Sequence, residues 1–154
     1  MFVLLKKLQQ IKADATTGAP SRRTSLALRH VDAGSCNGCE HELQNVSNPY
    51  YDLARFGLSL VASPRHADVL LITGPVTTRM VGPLKRAYEA MPEPRVVAAL
   101  GNCALGCNVL GQSSELVGSV ERVLPVDIRI PGCPPTPAAI AAAIFGATAP
   151  SSDV

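Results

Sequence analysis

The stretch that stands out in this sequence is residues 32–40, Asp-Ala-Gly-Ser-Cys-Asn-Gly-Cys-Glu. It follows residues 25–31, whose pattern is typical of a β-strand. Cys36 and Cys39 are separated by two residues in one short loop, so both thiolates can bind the same metal centre. A site built from soft thiolate ligands needs more than two of them. We therefore expect the remaining ligands to come from other parts of the chain.

The composition favours one cytosolic domain. The chain of 154 residues is long enough for one domain with a hydrophobic core. A net charge of +2 at pH 7 gives no indication of a nucleic-acid-binding surface. The N-terminus lacks the pattern of a secretory signal, and no apolar stretch approaches the roughly 20 residues of a membrane span. In the cytosol the five cysteines are expected to bind metal rather than form disulfides.

Strands and helices are predicted to alternate along the chain. Strands are expected at residues 25–31, 58–62, 67–73, 95–100 and 126–130. Helices are expected at residues 40–56 (with an interruption at 47–49), 80–91 and 137–145. This alternation predicts an α/β fold with an open parallel sheet and helices on its faces.

Three predicted loops that contain cysteines directly follow predicted strands. Cys36 and Cys39 follow the first strand, Cys103 follows the strand at residues 95–100, and Cys133 follows the strand at residues 126–130. Because the carboxyl ends of parallel strands meet at one edge of a sheet, these four thiolates are expected to converge. Glycines beside them allow backbone N–H groups to approach the sulfur atoms.

Cys107 leaves an alternative open. Cys103 and Cys107 could form a second pair, and Cys133 would then not be a ligand. We favour Cys133, because its loop lies at a strand end and is stiffened by three flanking prolines. Cys107 is then expected to be a small buried thiol or a group close to the ligands.

Three kinds of chemistry fit the cysteines. An iron–sulfur cluster is favoured, because the ligands are spread over a domain large enough to fold on its own core. Structural zinc usually joins two close pairs of ligands in a small domain. A dithiol redox pair needs only Cys36 and Cys39 and leaves the other cysteine loops unexplained.

Four separated motifs resemble one superfamily, at residues 31–40, 63–70, 91–95 and 126–135. This superfamily includes both the small subunits of membrane-bound [NiFe] hydrogenases, as in formate hydrogenlyase, and the complex I subunit that carries the terminal cluster. The resemblance covers residues 28–145. It implies a flavodoxin-like α/β domain that holds one 4Fe–4S cluster.

By motif, the resemblance assigns the cluster ligands to Cys36, Cys39, Cys103 and Cys133. It also implies three partners: a hydrogenase-type large subunit, a ferredoxin-like iron–sulfur subunit and membrane arm subunits. The expected location is peripheral, on the cytoplasmic side of the cell membrane. The chain would then belong to an oxidoreductase whose chemistry takes place in the partner subunit.

The first ligand pair distinguishes the branches of this superfamily. The complex I branch resembles adjacent cysteines, whereas the hydrogenase branch resembles the Cys-x-x-Cys of this chain. We therefore expect an electron-transfer subunit of an energy-converting, hydrogenase-like complex. Two alternatives stay open: a quinone-reducing complex I-like subunit and a zinc-stapled interaction domain.

Two acids follow the ligand pair, Glu40 and Glu42. They are the candidates for a proton relay beside the cluster, and we expect the relay to be Glu42 or, failing that, Glu40. The simpler explanation is that acidic side chains in a first helical turn interact favourably with the helix dipole.

The flanking regions complete the predicted organisation. Residues 1–24 are expected to form an amphipathic helix and linker that docks on a partner subunit, lies on a membrane surface or frays. Residues 25–147 form the iron–sulfur α/β domain, and residues 148–154 a disordered tail. Apolar residues of the cluster-edge loops, at 74–76, 104–106 and 130–131, are expected to be exposed until a partner covers them.

Overall fold

The computed structural model describes residues 25–107 and 113–148. In chain order the elements are β1 (Leu26–Asp32), α1 (Gly38–Asn45), β2 (Leu58–Leu60), β3 (Val69–Thr73), β4 (Val76–Thr77), α2 (Val81–Glu89), β5 (Val96–Leu100), β6 (Leu116–Gly118), β7 (Ile128–Ile130) and α3 (Pro137–Thr148).

Five of these strands form one sheet in the order β2-β1-β3-β5-β7, and every neighbouring pair is parallel. Counted along the chain, this order is 2-1-3-4-5, which is the order of flavodoxin-like folds. The predicted fold class is therefore confirmed. The strand order reverses between β1 and β3, and in such sheets this is where ligands bind at the carboxyl edge.

Both faces of the sheet are covered. The interior strands β3 and β5 are fully buried. All of their residues are apolar except Thr73, which is polar and also fully buried at the end of β3. One core cluster packs the sheet against α1 and α3 through Leu43, Ile140 and Ile144. A second cluster packs the other face against Leu84 of α2 and the segment around Val120. Burial on both faces explains why these strands are continuous apolar runs.

The predicted helix at residues 40–56 is wrong over its second half. The helix α1 ends at Asn45, and only a 3₁₀ turn, Leu53–Phe56, follows. The Asn48 side chain accepts hydrogen bonds from the backbone N–H groups of Tyr50 and Tyr51, at 2.9 and 3.0 Å. This Asx-type turn competes with the helix, in the segment where proline already disfavours it.

Two short strands do not appear in the sequence prediction. The strands β4 and β6 pair as a separate antiparallel ribbon, in a region predicted to be loop. The predicted helix and linker at residues 1–24 lie outside the described residues, as does the predicted tail from residue 149 onward. Thr148, which was predicted to begin that tail, is the last residue of α3. None of the helices in the described parts of the chain is long and apolar enough to cross a membrane.

Candidate functional site

The cysteine-rich loop after β1 is shaped by its own side chains. A carboxylate oxygen of Asp32 accepts hydrogen bonds from the N–H groups of Gly34 and Ser35, at 2.8 and 2.7 Å. This turn leads directly into α1. As a result, Cys36 is exposed in the loop, whereas Cys39 lies in the first turn of α1 and is partly buried.

The loop after β1 is joined to the loop after β3. The N–H group of Ala33 donates to the carbonyl of Thr73 at 3.0 Å, and Thr77 donates back to the carbonyl of Ala33 at 2.9 Å. The backbones approach so closely that a Cβ atom on Gly74 would lie 2.4 Å from the nitrogen of Ser35. Glycine is therefore required at this crossing.

Cys39 approaches the loop after β5 through a second glycine. Gly101 has a φ of +92°, and a Cβ atom built on it would lie 2.5 Å from the Sγ atom of Cys39. Any side chain at this position would displace the thiol and strain the backbone. The space left by Gly101 is thus what admits Cys39 to this part of the site.

The loops after β5 and β7 are joined by hydrogen bonds that continue the strand ladder. Gly101 donates to the carbonyl of Ile130, and Asn102 donates to the carbonyl of Gly132, both at 2.8 Å. The side-chain oxygen of Asn102 also accepts a hydrogen bond from the N–H group of Gly132 at 2.8 Å. These contacts hold Cys103 and Cys133, the next residue in each loop, on neighbouring strand ends.

The structure brings together the four cysteines that were predicted to converge. The pKa of Cys39 is raised from 9.0 to about 12, mainly by burial and in addition by the charges of Glu40, Cys103, Cys36 and Cys133. Mutual repulsion of this kind arises only between groups that are close. A bound cation that stabilises thiolates would remove this repulsion.

Cys107 is not among the groups that affect Cys39. It is exposed, so the expectation of a small buried thiol is wrong. Its N–H group donates to the carbonyl of Asn102 at 2.9 Å, which turns the chain away after Cys103.

The donor set fits an iron–sulfur cluster. Four cysteine thiols from three loops are what a 4Fe–4S cluster requires, and none of the five cysteines is in a disulfide. Within residues 25–107 and 113–148, no three His, Cys, Asp or Glu side chains are arranged to hold a single metal ion. A cluster of several irons holds its thiolates farther apart than one ion does, so this last finding concerns single-ion sites.

A partly buried polar network centred on Thr73 lies beside Cys39, and the sequence predicted a role in the site only for Glu40 among its three members. The hydroxyl of Thr73, which is fully buried, donates to Oε1 of Glu40 and lies 2.9 Å from Nε2 of His30. The Nε2 atom of His30 also lies 3.5 Å from Oε1 of Glu40. With the single hydroxyl proton directed to Glu40, the Thr73 oxygen is left as an acceptor on the side that faces Nε2 of His30.

Burial affects both His30 and Glu40 in this network. Burial lowers the pKa of His30 despite the opposing influence of Glu40 and Asp32. The second carboxylate oxygen of Glu40, Oε2, is buried and has no hydrogen-bond partner among the described residues. Glu42 lies two positions further along α1, outside this network. Of the two predicted relay acids, Glu40 is therefore the one held next to Cys39.

The apolar residues of the loops are mostly buried by the chain itself. Val76, Ala104 and Ile130 are each at most 1% exposed and belong to the core clusters. The expectation that these loops present apolar surface to a partner is thus wrong for those three residues. Pro131 is exposed and Leu105 is partly buried.

The chain belongs to the family described as "NADH ubiquinone oxidoreductase, 20 Kd subunit", whose sequence model matches residues 36–147. This family is the one inferred above from the four motifs, and its match extends from the first cysteine through α3.

Two curated relatives lie in the hydrogenase branch. The chain is 49% identical over 111 residues to "Probable membrane-bound hydrogenase subunit mbhJ" of Pyrococcus furiosus, covering 72% of this chain and 66% of that protein. It is 43% identical over 117 residues to "Formate hydrogenlyase subunit 7" of Escherichia coli, covering 76% of this chain and 46% of that protein. The chain thus spans about half to two thirds of these relatives.

A solved structure supports the fold. A chain from the membrane-bound sulfane sulfur reductase, described as an archaeal respiratory membrane complex, superposes with a TM-score of 0.67 at 32% identity. The match covers 83% of this chain and 71% of that one.

Proposed function

We propose that this chain is the electron-transfer subunit of a membrane-bound [NiFe]-hydrogenase-like complex and holds one 4Fe–4S cluster next to a catalytic large subunit. Cys36, Cys39, Cys103 and Cys133 are its ligands. The observation that carries the proposal is the approach of these four thiols from three loops at one edge of the sheet. When bound, the cluster supplies one-electron transfer.

The residues of the chain have distinct tasks in this proposal. Gly101 leaves room for Cys39, which enters from α1. Asp32 fixes the loop that carries Cys36. Burial of Cys39 lowers the local dielectric constant, which strengthens the interaction between the ligands and a positive metal centre.

The proposed partners rest on the resemblance of the four motifs and are supported by the relatives. We propose a hydrogenase-type large subunit, a ferredoxin-like iron–sulfur subunit and membrane arm subunits, with this chain peripheral on the cytoplasmic side of the membrane. The support is that a relative at 49% identity is named as a subunit of a membrane-bound hydrogenase.

A second candidate is a quinone-reducing, complex I-like subunit, because the family itself is described by the ubiquinone oxidoreductase. The Cys-x-x-Cys spacing of Cys36 and Cys39 favours the hydrogenase-like branch. The zinc-stapled alternative has no support from the relatives reported above.

The experiment is to co-express the full chain with its neighbouring large subunit under anaerobic conditions. We expect acid-labile sulfide matched by an equal amount of iron from the cluster, apart from any iron that accompanies nickel in the large subunit, and visible absorption that bleaches with dithionite. Nickel in the large subunit, with hydrogen-dependent reduction of the cluster, supports the hydrogenase-like role. Quinone reduction without nickel would select the second candidate, and zinc without sulfide would refute both.

Glu40 is proposed to relay protons beside the cluster, and Glu42 is the less favoured candidate. A glutamine has the shape of glutamate but cannot carry a proton in the same way. We expect Glu40→Gln to slow turnover of the assembled complex with iron content unchanged, and Glu42→Gln to slow it less. If both variants turn over at the wild-type rate, the acids act only through the helix dipole.

A further inference from the structure

Asn102 joins the two loops that carry Cys103 and Cys133. Its N–H group donates to the carbonyl of Gly132, and its side-chain oxygen accepts from the N–H group of the same residue, both at 2.8 Å. We call this arrangement a two-bond clamp. It occupies both polar backbone atoms of the residue before Cys133, and therefore fixes the two peptide planes that lead into that cysteine.

The same clamp occurs at the opposite edge of the same strand pair. Asp127, just before β7, donates its N–H to the carbonyl of Val97 and accepts from the N–H of Val97, both at 2.9 Å. A third clamp joins Asp68 to Ala27 before β3, at 2.8 and 3.0 Å. The two clamps at the amino edge use aspartate, whereas the clamp between the cysteine loops uses asparagine.

The difference in charge has a physical consequence. Burial is the main cause of the raised pKa of Cys39, and the charges of Glu40, Cys103, Cys36 and Cys133 raise it in the same direction, so the site already holds several groups that repel one another when ionised. A carboxylate at position 102 would add a negative charge one residue from Cys103, whereas an amide makes the same hydrogen bond without it. At the amino edge, Asp68 and Asp127 lie at the other end of the strands and have no such constraint.

We propose that Asn102 is a positioning residue that sets the spacing of Cys103 and Cys133, and that its neutrality keeps the reduction potential of the site from falling. This inference rests on the proposed cluster. Asn102→Leu has similar volume and no acceptor, so it leaves the N–H group of Gly132 unpaired. Asn102→Asp restores the acceptor and adds the charge. Asp127→Leu removes the matched clamp at the amino edge, and Asp127→Asn keeps that clamp and removes its charge.

The test uses the full chain co-purified with its large subunit, measuring iron loss to a chelator and the reduction potential by anaerobic titration. Asn102→Leu should lose iron about fivefold faster than wild type or more, the factor expected for one lost hydrogen bond. Asp127→Leu should lose it at the wild-type rate. Asn102→Asp should retain iron and titrate at a more negative potential, whereas Asp127→Asn should titrate as wild type.

Co-purification with the large subunit reports whether each variant has folded. If Asn102→Leu does not fold, Asn102→Asp still decides, because it must both retain iron and shift the potential. Equal iron loss in Asn102→Leu and Asp127→Leu would overturn the inference, as would an unchanged potential or lost iron in Asn102→Asp. Absence of iron and sulfide from the wild-type complex would instead refute the proposed function.

Discussion

The two edges of the parallel sheet are closed differently. At the amino edge, the aspartates of two clamps bind backbone groups with charged side chains, at Asp68 and Asp127. At the carboxyl edge, which we call the cysteine edge, the clamp is neutral, and Gly74 and Gly101 with positive φ values allow atoms to approach within distances that a Cβ would forbid. The same pair of hydrogen bonds therefore occurs at both edges, while only the cysteine edge leaves room for thiols.

The cysteines should give the largest effect. Replacing Cys36, Cys39, Cys103 or Cys133 by alanine removes one of four thiols at the cysteine edge, and we expect the cluster iron and the acid-labile sulfide of the chain co-purified with its large subunit to fall to background. Cys107→Ala is the control and should retain iron, because Cys107 is not among the groups that raise the pKa of Cys39, whereas the other three thiols are. Iron lost in Cys107→Ala but kept in Cys133→Ala would move the ligand assignment to Cys107.

Gly101→Ala should have the next largest effect. Its new Cβ would lie 2.5 Å from the Sγ atom of Cys39, whereas Gly106→Ala, with a nearly equal φ of +91°, meets only Ser119 at 3.1 Å. Both variants carry a similar backbone strain of about 1–3 kcal/mol, so both should lower the thermal midpoint. Only Gly101→Ala should lose iron. Equal iron in the two variants would show that the approach of Cys39 to position 101 is dispensable.

Thr73→Val tests the polar network at the cysteine edge. It keeps the volume but removes the hydroxyl that joins His30 and Glu40, and we expect unfolding to become easier by about 1–3 kcal/mol. Thr78→Val removes an exposed hydrogen bond to Glu115, 3.1 Å long, and should change stability by less than about 0.5 kcal/mol. Chemical denaturation of the cluster-loaded chain measures both. Similar values would mean that burial of the network contributes nothing.

The smallest effect is a dependence on pH. Burial lowers the pKa of His30 below 6.5 in the folded chain, while the unfolded chain keeps the ordinary value. Above that value the side chain is neutral in both states and contributes nothing to the pH dependence of the free energy of unfolding. As the pH falls below it, the unfolded chain binds the proton first, so stability decreases.

The comparison of two histidines isolates this effect. His30→Gln should flatten the decrease in thermal midpoint between about pH 7.5 and about pH 5.5, since the group that titrates is gone. His66→Gln, at an exposed position before β3, should leave the decrease as in wild type. If the thermal midpoint of His30→Gln falls with pH as steeply as that of the wild type, His30 is not the cause of the decrease.

Much of the fold could be predicted because its signals are local. The apolar runs of β3 and β5, bounded by glycine and proline, identify buried parallel strands without any knowledge of their partners. The ribbon of β4 and β6 could not be found, because strands of two and three residues are too short to show a period. The strand-end rule brought four cysteines to one edge, although their role as ligands stays a prediction.

The polar network escaped prediction because it depends on register. His30 pairs with Leu71, so Thr73 lies diagonally across from it on the same face of the sheet. Nothing in the local sequence around His30 or Thr73 shows that pairing. Glu40 is the one member of the network that the sequence predicts to lie near the site, because it directly follows Cys39.

The ladder that continues beyond β5 and β7 has a consequence for how related sequences are recognised. Asn102 and Gly132 are 30 residues apart in the chain, yet their hydrogen bonds hold these two residues side by side, as in neighbouring strands, directly before Cys103 and Cys133. The connection between them can therefore gain or lose residues without moving either thiol, as long as the two strands keep their register. A search pattern that fixes the number of residues between Cys103 and Cys133 would discard genuine homologues, whereas one that requires a strand before each of these cysteines would keep them.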